Sequence, residues 1–135
     1  MYWTEMGVPA ANDGAIYSAN LDGSDRQTVV KAGSCHTPKQ CTIDQEVGKL
    51  YFCDREGLRV MRVSLDGSGL ETLVQTGEWE KGNEDQTKWC VGIAVSRKLG
   101  RFFWTQKGSS KSGEGRIFSA ALDMPKGTHS SLSPP

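Results

Sequence analysis

The chain has 135 residues, 36% of them hydrophobic, and its sixteen Lys and Arg balance sixteen Asp and Glu to a formal charge of zero. That is enough for one modest domain with a core, while a neutral surface offers no global field for a polyanion, so neither nucleic acid nor an anionic membrane is expected as a partner. No apolar run reaches the roughly 18 to 20 residues of a membrane span and no basic segment leads into a hydrophobic one, so a soluble, cytoplasmic protein is expected unless an upstream piece is missing.

Tyr2-Trp3-Thr4-Glu5 opens the chain as a short strand. Residues 15–23, ending in Leu21-Asp22-Gly23, alternate apolar and polar side chains and read as its antiparallel neighbour, with a third strand over residues 25–30. Residues 31–39 read as a loop. A fuller unit follows, with strands over residues 40–44 (QCTID), 49–53, 58–64 and 70–74. After a charged loop at 78–88, the pattern returns at 91–95 (VGIAV), at Phe103-Trp104-Thr105-Gln106, and from Arg116 to Asp123.

These stretches are copies of one unit. The aromatic pairs align so that Trp3, Phe52 and Trp104 are separated by 49 and 52 residues, and each is followed by a strand ending in Leu-Asp, at Leu21-Asp22, Leu65-Asp66 and Leu122-Asp123. Short antiparallel strands recurring about every 50 residues match the blades of a β-propeller better than a sandwich, which need not repeat its sequence. The units are predicted at residues 1–30, 36–76 and 88–126, with a disordered tail at 127–135.

The aromatic-Trp-Thr-acid motif followed by Leu-Asp-Gly-Ser resembles the YWTD repeats of the low-density-lipoprotein-receptor type, which form six-bladed propellers. The resemblance covers most of residues 2–126; Glu5 and Gln106 stand in place of the motif's Asp, and Phe52-Cys53 in place of Trp-Thr. Thr37-Pro38-Lys39-Gln40, Asp54-Arg55-Glu56-Gly57, Lys88-Trp89-Cys90-Val91-Gly92 and Trp104-Thr105-Gln106-Lys107-Gly108 look more like small single-domain YWTD proteins of fungi and bacteria than like receptor ectodomains. The resemblance implies an all-β fold: about three four-stranded blades, half of a six-bladed ring.

The first unit lacks an inner strand and the third an outer one, so apolar faces and sheet edges are left open. Exposing a few hundred Å² at each end forfeits on the order of 10 kcal/mol, comparable with a domain's whole stability. Two readings stay open: a piece of a longer protein, or a half-propeller that closes by self-association.

Cys35, Cys41, Cys53 and Cys90 fall at spacings of 6, 12 and 37 with no C-x-x-C pair, so reduced thiols are expected; export would permit a disulfide whose pairing stays open. No metal and no cofactor is expected. The loop GSSKSGEG at 108–115 lacks the Gly-Lys-Ser/Thr end of a phosphate loop, and Asp22-Gly23-Ser24-Asp25 has too few carboxylates for an EF-hand.

In a propeller one rim gathers the loops that carry ligands, here 5–14, 31–39, 54–57, 78–88 and 106–115. On that rim Asp54 and Glu56 could serve as acid and base, mutual repulsion raising one pKa, with His36 as a further proton donor; the competing reading has Asp54 bonding backbone amides and His36 solvated in a loop. Lys39, Gln40 and Lys107 would polarise a substrate oxygen and Trp89 would supply an apolar wall.

The resemblance implies a small-molecule ligand and, in the fungal group, a hetero-Diels-Alderase-like cyclase of secondary metabolism, in which acid or base assists dehydration and proximity does the rest. The other expectation is a non-catalytic interaction module with a flat rim and exposed aromatics, favoured by Trp79.

Overall fold

Alternation with a period of two sends successive side chains to opposite faces, and in this chain both faces of the middle sheet are apolar. In a computed structural model that describes residues 1–9 and 11–123, the strands form three antiparallel sheets. The predicted tail at 127–135 and the end of the third unit lie outside the described residues. The first sheet holds β1 (Tyr2–Glu5), β2 (Gly14–Ser18) and β3 (Gln27–Cys35); the second β4 (Pro38–Asp44), β5 (Lys49–Asp54), β6 (Arg59–Ser64) and β7 (Glu71–Gln75); the third β8 (Cys90–Ser96), β9 (Arg101–Gln106) and β10 (Arg116–Ala121). Each is a meander in which sequence neighbours pair. Among the described residues no helix is long and apolar enough to cross a membrane.

One predicted loop is strand instead. β3 runs to Cys35 and β4 begins at Pro38, so His36 and Thr37 are all that separates them, not a loop over 31–39. Register shifts between Gly14 and Tyr17 let β2 keep pairing with the longer strand, and Gly14 N–H donates to the His36 carbonyl at 3.3 Å.

The Asp-Gly-Ser turns recur in atomic detail. Ser24 donates its amide and hydroxyl to Asp22 Oδ1 at 2.9 and 2.6 Å, and Ser68 does the same to Asp66 at 2.9 and 2.6 Å. Gly23 and Gly67 sit at φ of +86° and +91°, where a side chain would strain the backbone.

Two cores result, one on each side of the second sheet. Leu50, Phe52, Met61 and Val63 face the first sheet, meeting Ile16, Val29, Val30 and Cys35. Tyr51, Cys53, Val60 and Val74 face the third, meeting Cys90, Phe102 and Trp104. Burying each large side chain contributes about 1.5 to 3 kcal/mol, so these faces hold the blades together. At the strand ends far from Asp54 the clamps are charged side chains: Arg97, on the turn after β8, bonds Asp44 at 2.6 Å, and Arg62 donates to the Leu122 carbonyl at 3.2 Å.

All four cysteines are unpaired. Burial pushes the Cys35 thiol from its ordinary 9.0 up to about 12, helped by the Asp54 charge and opposed by Arg59. Burial takes Cys90 to about 12 as well, against a Thr76 hydrogen bond. Above an unfolded value near 9.0 the unfolded chain sheds these protons while the native chain keeps them. The stability they support is therefore whole below that value and lost as pH rises toward 12. Urea midpoints should stay level to about pH 8.5 and then fall. A fall that persists unchanged in a Cys35→Ala, Cys90→Ala variant would assign the effect to other groups.

Candidate functional site

The second and third sheets each begin just after a connection that lies against the end of their own second strand. At the head of the second sheet, Asp54 ends β5 with no exposed surface. It accepts the His36 amide at 3.0 Å, the Thr37 amide at 2.6 Å and Arg59 Nε at 2.8 Å. Gly57 is required beside it, because a Cβ there would lie 2.0 Å from Asp54 Oδ2. This is the amide-bonding role that competed with catalysis in the sequence: the carboxylate is occupied by two amides and a guanidinium, and no water reaches it.

Glu56 lies in the tight turn after β5, 6% exposed, and Arg55 bonds it at 2.6 Å. Burial pushes its pKa up, but the Arg55 hydrogen bonds, the Thr37 hydroxyl and the Arg55 charge outweigh that and hold the carboxyl below its ordinary value. For Glu56 the expected raised carboxylate is therefore corrected, the Arg55 bonds and charge holding it below its ordinary value; Asp54 has a cation of its own in Arg59.

His36 is corrected as well. It is 2% exposed rather than solvated, its Nδ1 lies 3.2 Å from Thr37 Oγ1, and its ring meets Trp79 edge-on at 5.2 Å. The short β3–β4 connection leaves its side chain no route to the surface.

Trp89, just before β8, is the hub of the rim. Its indole N–H donates to the Asn83 carbonyl at 2.6 Å, the Arg55 guanidinium lies 4.9 Å from the ring centroid, and the Lys107 ammonium lies 5.4 Å from it. Lys107 N–H also donates to the Trp89 carbonyl at 2.9 Å, which fixes the start of the loop after β9 against the Trp. Trp89 is thus less an apolar wall than a half-buried platform topped by cations.

Lys39 and Gln40 stand apart from this cluster. Lys39 Nζ lies 3.0 Å from Met6 Sδ, and its carbonyl accepts Thr4 Oγ1 at 2.8 Å. Gln40 is exposed on β4 and joins Gly92, Phe103, Thr105 and Ile117 around a concavity of about 270 Å³.

No family model matches the chain. A fungal protein of Pyricularia oryzae named low-density lipoprotein receptor-related protein 1 is 50% identical over 129 residues, which is 92% of this chain and 42% of that protein. A second, of Cochliobolus heterostrophus, named 3-hydroxyacyl-CoA dehydrogenase-like protein LAM1, is 51% identical over 129 residues, 94% of this chain and 27% of that protein. The chain therefore spans less than half the length of both curated relatives. In structure it matches a chain of a crystallised nidogen/laminin complex with a TM-score of 0.68 and 20% identity, over 90% of this chain and 40% of that one. The fold is a sector of a YWTD-type β-propeller.

In that propeller frame the motif's last residue has one job in the second and third blades. Gln106 Nε2 donates to the Thr87 carbonyl at 2.8 Å, so it grips the connection entering its blade as Asp54 grips His36 and Thr37. Glu5, at the same place in the first blade, accepts Trp3 Nε1 at 3.1 Å, as Gln106 accepts Trp104 Nε1 at 3.1 Å, but its second bond is to Arg26 at 3.1 Å. Two rim residues escaped the sequence reading. Arg55 stands between two acids and Asn83 lies in a loop without pattern; neither position carries a periodic signal that points at Trp89.

Proposed function

We propose that this sector of the propeller serves as a docking face for a protein ligand, with Trp89, Arg55, Lys107 and Trp79 as the contact surface. The observation that carries the reading is the division of labour on the rim. Asp54 and Glu56 spend their oxygens on amides and guanidinium groups within the fold, His36 is buried, and the aromatic and cationic groups around Trp89 lie outermost. Half-buried Trp and Arg held in place by neighbours are the residue types that dominate binding energy at interfaces. A relative named as receptor-related and a structural likeness drawn from a protein complex agree with this reading.

The cyclase reading would route proton transfer through Asp54, Glu56 or His36, with Lys39, Gln40 and Lys107 on the substrate oxygen. It needs those acids released from their present bonds and Lys39 and Gln40 brought to the same pocket as Trp89.

Peptides selected from a displayed random library against the wild-type chain give the test. They should lose roughly 30-fold in affinity for a Trp89→Ala, Lys107→Ala variant, the loss of about 2 kcal/mol that an aromatic anchor carries. They should bind unchanged to Leu99→Ala, whose side chain is 63% exposed on the β8–β9 turn. Equal binding to all three chains would remove the docking reading and leave the small-molecule one.

A further inference from the structure

The longest connection between described strands joins β7 to β8. Its base is firm. Thr76 Oγ1 donates to the Lys88 carbonyl at 2.6 Å, Gln106 Nε2 donates to the Thr87 carbonyl at 2.8 Å, and Gly77 packs so closely that a Cβ there would lie 2.8 Å from Leu58 Cδ1. Residues 77–87 are thereby drawn into a compact surface loop with its ends together. The step from the first sheet to the second needs only His36 and Thr37, so the surplus chain belongs to the second junction alone among the described residues.

That surplus lies across the head of the second sheet. Trp79 meets the His36 ring edge-on at 5.2 Å, Asn83 Nδ2 donates to the Glu56 carbonyl at 3.3 Å, and the Asn83 carbonyl accepts the Trp89 indole N–H at 2.6 Å. Beneath it His36, Thr37, Asp54 and Glu56 are all buried, whereas none of residues 77–88 is. The base is fixed by packing and backbone, but the tip rests on one ring edge and the two bonds of Asn83. Gly82, between those contacts, sits at φ +124°, where a side chain would strain the backbone. Few buried contacts and solvent-facing hydrogen bonds are the marks of a segment that opens without the rest of the fold.

We propose that this loop is a lid over the second sheet, pivoting on its tied base. Shut, as in this structure, Trp79 seals His36 and Asn83 holds the Trp89 N–H. Lifted, it leaves a cleft with the His36 ring and the Arg55–Glu56 turn on its floor, and it releases the Trp89 N–H to an acceptor from outside. Asp54 stays tied in both states, since its partners are the amides of His36 and Thr37 and the Arg59 guanidinium, none of them in the loop. The rim thus has a second form, in which groups closed to solvent in the first can meet a ligand. The inference does not depend on whether that ligand is a protein or a small molecule.

Carbethoxylation of His36 by diethyl pyrocarbonate reads the lid, followed by peptide mass spectrometry that separates His36 from His129. His36 should react steadily in the folded wild type. Val63→Ala, in the core facing the first sheet, should leave that rate within about twofold while it raises the unfolding constant measured in urea about tenfold or more. Asn83→Ala should speed the reaction about tenfold, the effect of losing two hydrogen bonds at the tip. Trp79→Ala should bring it close to the rate of free N-acetylhistidine. The proposal is overturned by a His36 that does not react while the wild-type chain is folded, or by a rate that rises with the unfolding constant in Val63→Ala. It is equally overturned if Asn83→Ala or Trp79→Ala leaves His36 as protected as in the wild type.

Discussion

Asp54→Ala should lower the stability of the chain by about 3 to 5 kcal/mol in equilibrium urea unfolding, the cost of removing one partner from a buried pair. The arithmetic is local. Alanine strands the Arg59 charge and leaves the amides of His36 and Thr37 without an acceptor in a site closed to water. Set against a domain's total of about 5 to 15 kcal/mol, that loss would leave a weak transition or none. Asp54→Asn, which keeps the volume and one oxygen but not the charge, should fall between wild type and alanine. A loss under about 1 kcal/mol for alanine would mean that the amides find other acceptors, and Asp54 would then be free for chemistry.

The second large effect is a contrast between two equivalent tryptophans. Trp104→Ala should cost about 3 to 5 kcal/mol, because a side chain 1% exposed leaves a void between Tyr51, Phe102 and Phe118 and frees Gln106 from its bond to the indole. Trp3→Ala should cost less, on the order of 1 kcal/mol, since that ring is already partly exposed and none of the described sheets packs on its open face. Urea curves of the two variants check the contrast; a Trp3 cost as large as that of Trp104 would show the two rings packed alike.

What was legible in the sequence lies where local rules act. Phe52 and Tyr51 announce their opposite faces by period two, and Asp22 and Asp66 announce their turns by a Gly at +1 and a Ser at +2. The tie from Asp54 to backbone amides was also among the readings, through the motif it belongs to. The side chains in the connections were not legible. Whether His36 is wet or buried depends on how far β3 and β4 extend toward one another, and that depends on a bulge opposite Gly14. Arg55 meets Trp89 across 34 positions of sequence, in a geometry that only the juxtaposition of two blades creates. A pattern read along one strand has no access to such contacts.

The sameness of the junctions has a consequence for how such chains change in length. A forward face that fits any backward face of its kind carries no instruction about how many units should follow. Ring size is then left to the twist between neighbouring sheets, summed until the last unit meets the first. A tandem duplication that copies one whole unit would create no unfamiliar surface, only a different angle to close, and Gln106 standing in for Asp54 at the same anchor shows how freely such copies drift once the grip on the incoming backbone is kept.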